Sequence, residues 1–261
     1  VIFLAIFTRY IAVGNTPELE TLSRVEHPMP VTDVLHRVTA LCDVLDVRVT
    51  AEEPLGTDLL TDTAAFVDAE ADRIRERYDV TVPRHVAASR ALHDYAWSAA
   101  LLMSGPWFLE RRVPLIRPQD IRADLATASY QVRPTEALAD DLLDALTAHM
   151  EPVLDAFAPL TRRGSRALWG MVGDDLVSGL WYLGRVLDRE DDGIRAASEI
   201  LPGPVGRFPA GAAFRNLTAP DGSCHPTRTR AGCCMFYAVR PTEACGTCPR
   251  TSDAERLRRL G

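Results

Sequence analysis

The chain changes character at Leu201. Residues 202–232 hold Pro202, Gly203, Pro204, Gly206, Pro209, Gly211, Pro220, Gly222, Pro226 and Gly232. Proline removes a backbone donor and glycine loosens the backbone, so no helix bundle runs through such a stretch. The residues before it are periodic; those after it are rich in cysteine. The division predicts a mainly α protein. Residues 31–201 form a helical-bundle body with a few short strands, and residues 202–261 form a loop-rich segment. Residues 1–30 match neither pattern and read as a tail, disordered or a misread start.

The body places apolar residues at helical steps. Thr32 or Asp33 can cap a segment carrying Val34, Leu35, Val38, Leu41, Cys42 and Leu45. A second segment opens near Thr57, runs through Leu59, Leu60, Ala64, Val67, Ile74 and Tyr78, and turns charged toward its end. Val82-Pro83 starts a third, expected to stop at Gly105-Pro106. Between Pro114 and Pro134 the helical signal fades, and residues 128–132 read as a short strand or hairpin edge. A long helix is expected from Pro134-Thr135 to Phe157, kinked or cut short by Pro152. The cleanest stripe comes after Gly164-Ser165: Leu168, Trp169, Val172, Leu176, Leu180, Leu183 and Leu187. A short helix over residues 191–200 comes next, and Ser252 caps a final basic one.

Composition narrows the chemistry. All 29 basic side chains are Arg, and there is no Lys. A phosphate-binding P-loop, a protein-kinase site and a pyridoxal-phosphate or other Schiff-base enzyme each need a Lys amine, so these are excluded. Codon bias in a GC-rich genome is the ordinary cause of such a composition. The net charge of -7 speaks against the broad basic face of a nucleic-acid binder. The apolar run Val1 to Phe7 is far shorter than the ~20 residues that span a bilayer. No basic residue precedes it, as a signal peptide requires. The expected compartment is the cytoplasm, with peripheral contact at the inner membrane face left open.

Five of the six Cys fall within the last 38 residues: Cys224, Cys233, Cys234, Cys245 and Cys248. Four of these make a C-C pair, ten residues, then C-x-x-C. Converging thiolates hold soft metal centres, either tetrahedral zinc or an iron–sulfur cluster. A thioredoxin-like redox pair and two disulfides use the same residues, but no strand-then-helix pattern precedes the C-x-x-C, and a cytosolic setting disfavours disulfides. Adjacent side chains of an extended chain point to opposite faces, which is awkward at one zinc. Two irons can be approached from different directions, so the doubled Cys favours [2Fe–2S].

At these residues the sequence resembles the FhuF-like ferric iron reductases, the ferric siderophore reductase family. The resemblance is carried by Cys233, Cys234, Tyr237, Cys245, Cys248 and Pro249, and more weakly by the Trp169-Gly170 helix start. It implies a cytoplasmic [2Fe–2S] protein, ligated by Cys233, Cys234, Cys245 and Cys248, that reduces siderophore-bound Fe(III) to Fe(II). A ferric siderophore, with the hydroxamate type favoured, is then the substrate. The chain lacks G-x-G-x-x-G and any flavin fingerprint, so an external ferredoxin or an NAD(P)H-dependent flavoprotein must supply the electron. The alternative is a non-enzymatic siderophore-binding or interaction protein whose four-thiolate zinc or iron–sulfur site is structural.

Among the other residues, Cys224 reads as a spare loop thiol, His225 as an exposed loop His and Cys42 as core. Trp97, Trp107, Trp169, Trp181 and Tyr182 fit a normal core. Arg230, Arg240 and Arg250 are candidate docking residues for an acidic donor or an anionic chelate, with Arg228 beside them. Asp174 and Asp175 are expected to face solvent.

Overall fold

The computed structural model describes residues 29–260. The expectation for the N-terminal tail lies outside the described residues, apart from Met29 and Pro30. Helix α1 (Val31–Leu41), strand β1 (Val47–Val49), helix α2 (Thr63–Tyr78) and helix α3 (Arg84–Glu110) open the body. Short strands β2 (Val113–Pro114), β3 (Ile121–Asp124), β4 (Ser129–Val132) and β5 (Leu138–Ala139) come next. Helices α4 (Leu142–Thr161), α5 (Ser165–Val186) and α6 (Glu190–Ile200) complete it. The C-terminal segment carries a hairpin, β6 (Arg215–Thr218) and β7 (Cys224–Thr227), a single turn α7 (Phe236–Val239) and α8 (Asp253–Leu260). The protein is mainly α, as its periodicity predicts.

Helix α3 is the hub. From Val86 to Trp107 every residue but Asp94 is buried, and helices α1, α2, α4 and α5 all pack on it. A helix apolar on all sides has no solvent face, so it sits at the centre. Its Ala-rich run, Ala96, Ala99 and Ala100 among others, lets neighbours approach closely. Helices α5 and α6 meet where Gly184 and Gly193 touch; a Cβ on Gly184 would lie 2.9 Å from the Gly193 Cα. The small sheet has the order β1-β4-β3, with β1 parallel and β3 antiparallel to β4. It closes one side of the body through Val47, Val49, Tyr130 and Val132.

Several boundaries depart from expectation, each for a physical reason. The helix expected near Thr57 begins at Thr63, because Asp58 first closes a turn by accepting the Leu60 N–H at 2.9 Å. Helix α3 continues through Gly105-Pro106 to Glu110 and ends at Arg111, which adopts a left-handed φ of 56°. Helix α4 starts at Leu142 rather than Pro134, since Leu138–Ala139 is taken up by pairing with β2. Asp141 caps it, accepting the Asp144 N–H at 2.9 Å. Pro152 does not end it. An interior proline costs about 3 kcal/mol, but Met150, Val153, Leu154 and Phe157 are buried around it, each gaining about 1.5–3 kcal/mol. The loop-rich segment contains the β6–β7 hairpin, turned at Gly222 with a φ of 86°. The strand over residues 128–132 and the starts of α5, α6 and α8 fall where the sequence places them. Among the described residues no helix is long and apolar enough to cross a membrane.

Candidate metal centre

A buried charge network clasps the C-terminal segment to the body. Asp174 and Asp175 sit at the middle of α5. The Asp174 carboxylate accepts from the Arg228 guanidinium at 2.5 Å and from the backbone N–H groups of Ala231 and Gly232 at 3.1 and 2.5 Å. Asp175 accepts from Arg230 at 2.6 Å and pairs with His93 Nδ1 of α3 at 2.9 Å. The expectation of a solvent-facing Asp pair is therefore overturned. Helix α5 is buried on all sides from Leu168 to Gly184, because the segment after Leu201 covers the face that the other helices leave open. Carboxylates on such a face persist only with partners, and two guanidinium groups and two N–H groups provide them.

The same geometry corrects the reading of the neighbouring bases. Arg228 and Arg230 are 1% and 3% exposed, so neither can dock a partner at the surface. Arg240 and Arg250 do lie outside. Arg250 stacks over the Tyr237 ring at 4.0 Å, and Arg240 pairs with Glu243 beside Tyr78. Arg256, read as part of a basic tail, is buried and turned inward.

Beyond the clasp, Cys233, Cys234, Cys245 and Cys248 line one pocket, with Phe236 and Tyr237 beside them. Met235 makes this possible for the doubled Cys. Its left-handed φ of 60° bends the chain sharply after Cys234 into α7, so both neighbours reach the same pocket. Gly232 supplies the close approach before the pair. A Cβ there would lie 2.6 Å from the Met171 backbone nitrogen and 2.7 Å from its Cα.

The backbone carbonyls of all four cysteines are taken. Arg163 donates to the Cys233 carbonyl at 2.6 Å and Arg90 to that of Cys234 at 3.4 Å. The Cys245 carbonyl accepts from the Cys248 N–H at 2.9 Å and the Thr251 hydroxyl at 3.3 Å. Arg256 spans the C-x-x-C turn, donating to the Gly246 carbonyl at 2.7 Å and that of Cys248 at 3.0 Å. Meanwhile the Met235 and Arg250 N–H groups point at the sulfurs of Cys233 and Cys248, each at 3.4 Å. N–H groups aimed at sulfur stabilise thiolate and tune the potential of a bound centre.

Hydrogen bonding with Cys245 holds Cys234 well below the ordinary thiol range, and His93, Arg90 and Arg230 add to this against the cost of burial. The same partner draws Cys248 down to about 6. Cys245 is pushed well above the usual range by these two hydrogen bonds, and Cys233 is raised by burial. Metals bind thiolate, so a site that already favours the anion at two sulfurs is suited to one. Among the described residues no group of three or more Cys, His, Asp or Glu side chains is gathered as a metal ion needs. The four thiols line one pocket, and an all-cysteine donor set is that of a soft metal centre, zinc or iron–sulfur.

Residues 230–250 match the family model of the FhuF 2Fe-2S C-terminal domain. No curated protein matches the chain. The matched stretch contains all four pocket thiols and runs from buried Arg230 to exposed Arg250. It leaves out Cys224, which lies exposed on β7, and Cys42, whose thiol is pushed up to about 12 by burial. His225 is half-buried and bonded to the Ser223 hydroxyl at 2.9 Å. The aromatic residues Trp97, Trp107, Trp169, Trp181 and Tyr182 are core, as expected.

Sequence reasoning missed His93, Arg90, Arg163 and the inward role of Arg256. It also missed the clasp, although a signal existed. An Asp-Asp pair interrupts an otherwise apolar stripe, and Arg-x-Arg stands just ahead of the Cys pair. Opposite charges at two such places are candidates for one ion network.

Proposed function

We propose that this protein is a ferric siderophore reductase, with residues 31–201 as the chelate-binding body and residues 202–261 as the cluster segment. Cys233, Cys234, Cys245 and Cys248 would hold a [2Fe–2S] cluster, which when bound supplies a one-electron store. The observation that carries this reading is four thiols framing one pocket inside a match to a 2Fe-2S domain. Oxygen chelators hold hard Fe(III) tightly and Fe(II) weakly, so one added electron releases the metal with no bond broken in the ligand. The protein then needs no acid–base pair. Its own residues bind, shield and tune. Arg90, Arg163 and Arg230 place positive charge beside the thiolates, which favours the reduced state. Phe236 lines the thiol pocket as a buried apolar wall that keeps water out. Arg240 and Arg250 lie on the outer side of the same segment, where an acidic ferredoxin or a flavoprotein can dock. We place the protein in the cytoplasm, where such donors and imported chelates meet.

The test is anaerobic purification followed by visible and EPR spectroscopy. A reddish protein with the spectrum of a [2Fe–2S] centre is expected. After reduction it should pass its electron to a ferric hydroxamate, with Fe(II) trapped by a ferrous chelator. Cys245→Ser and Cys248→Ser should abolish the colour, while Cys224→Ser and Cys42→Ser keep it. A colourless protein carrying one zinc ion would overturn the reading in favour of a structural site.

A further inference from the structure

A second cavity adjoins the thiol pocket. It is a cleft of about 340 Å³ between the end of α1, helix α2, helix α3, the β3–β4 turn and α7. Its volume falls in the range of small-molecule sites. Phe236 is a wall of both the cleft and the thiol pocket. Arg90 links the two as well. Its guanidinium lies 5.5 Å from the Phe236 ring centroid, pairs with Asp94 at 2.9 Å and donates to the Cys234 carbonyl. A group seated in the cleft against Phe236 is therefore one side chain away from the thiol pocket, a short path for an electron.

We infer that this cleft is the seat of the ferric chelate, held against the Phe236 wall; the inference rests on the reductase reading above. Four carboxylates (Asp43, Asp46, Glu70 and Asp94) face three guanidinium groups (Arg73, Arg77 and Arg90) across it. Two of the three guanidinium groups are already engaged, Arg73 with Glu70 at 2.9 Å and Arg90 with Asp94 at 2.9 Å. The exposed acids Asp43 and Asp46 line the cleft as well, so its formal charge is slightly negative. Three hydroxamates cancel the charge of Fe(III), whereas three catecholates overshoot it by three units. A mildly acidic cleft admits the uncharged chelate and repels the trianion. Tyr78 and Phe236, packed edge-to-face at 6.0 Å, give the chelate's methylene arms an apolar surface. The electron that turns Fe(III) into Fe(II) comes from the external donor protein, and no proton or organic bond changes hands.

The experiment uses gallium, which matches Fe(III) in charge and size but is not reduced. The Ga(III) complex of desferrioxamine E, an uncharged cyclic trihydroxamate, is titrated by calorimetry into the cluster-loaded protein, as wild type and as two variants. Thr127→Trp fills the cleft from an exposed position on the β3–β4 turn, and Asp46→Arg reverses one charge at its mouth. The wild type should bind. Thr127→Trp should bind at least tenfold more weakly with an unchanged visible spectrum. Asp46→Arg should shift the preference toward a Ga(III) tris-catecholate by about five- to tenfold, the size expected for two charge units against three at roughly 8 Å with screening. A wild type that reduces the ferric chelate yet binds no gallium chelate, or a Thr127→Trp protein that binds as the wild type does, overturns the cleft assignment alone. A wild type that neither binds nor reduces overturns the reductase reading itself.

Discussion

Replacing Gly232 by Ala puts a methyl group where the structure has helix backbone. The new Cβ would lie 2.6 Å from the Met171 nitrogen, 2.7 Å from its Cα and 2.9 Å from the Gly170 carbonyl carbon. Non-bonded carbons settle about 3.5–4.0 Å apart, so the chain has to withdraw by roughly an ångström. Helix α5 cannot yield, since it is buried on every side there. Overpacking of this kind costs about 1–3 kcal/mol. Withdrawal also stretches the Gly232 N–H bond to Asp174, now 2.5 Å, and a hydrogen bond to a charged group contributes about 1.5–3 kcal/mol. The sum, about 2.5–6 kcal/mol, is a large share of the 5–15 kcal/mol that holds an ordinary domain together. Most of it falls on the docking of the Cys segment rather than on the helices. The expected outcome is a Gly232→Ala protein with near-normal helical circular dichroism, a lower denaturation midpoint and little iron. In the metal-free protein its Cys234 and Cys245, buried in the wild type, should become open to alkylation. Wild-type iron content together with an unchanged midpoint would show that the approach to α5 does not matter and would refute the reasoning.

Three further perturbations probe the clasp, a buried histidine and the free thiols. Asp174→Ala leaves Arg228 buried without its carboxylate and should destabilise the protein by about 3–5 kcal/mol, read as a shift in guanidinium midpoint; a shift under about 1 kcal/mol would contradict a buried clasp. His149 is held neutral, its folded pKa lowered by burial to about 4. Its Nδ1–H donates to the Ile116 carbonyl at 2.9 Å, so Nε2 accepts from the Tyr95 hydroxyl at 2.9 Å. The unfolded chain takes up the proton first, near pH 6.5, so this stability is complete above that pH. It is lost as pH falls toward 4, about 3 kcal/mol in all. A His149→Gln variant should lack that part of the pH dependence, and parallel curves for the two proteins would count against it. Alkylation of the native protein should label exposed Cys224 quickly and Cys42 only on unfolding, because burial keeps the Cys42 thiol protonated to about pH 12; labelling of both at one rate would be inconsistent with the fold.

Much of the fold was legible because helices are local objects. The apolar steps of α5 and the Gly164 start are visible in the string of residues, and so is the Ser252 cap of α8, which accepts the Glu255 N–H at 3.2 Å. The misses share a cause. Pro152 and Gly105-Pro106 carry strong local signals against helix, and burial around α3 and α4 outweighs them. Leu138 looks like the first apolar step of the helix expected from Pro134-Thr135 until β2 pairs with its strand.

By itself the sequence determined the chemistry available to this protein. It contains no Lys for amine chemistry, and it contains four thiols at a spacing that a turn can gather. The run of Pro and Gly after Leu201 also excludes a long helix there, and residues 202–232 hold none. Only the tertiary structure decided which charges serve that segment. Arg228 and Arg230 look like surface bases, and Asp174 and Asp175 like surface acids, until the segment folds back over α5 and buries them against one another. The contact joins residues more than fifty positions apart. Burial makes an unpaired charge so costly that each has to find its partner, and no local periodicity records that choice.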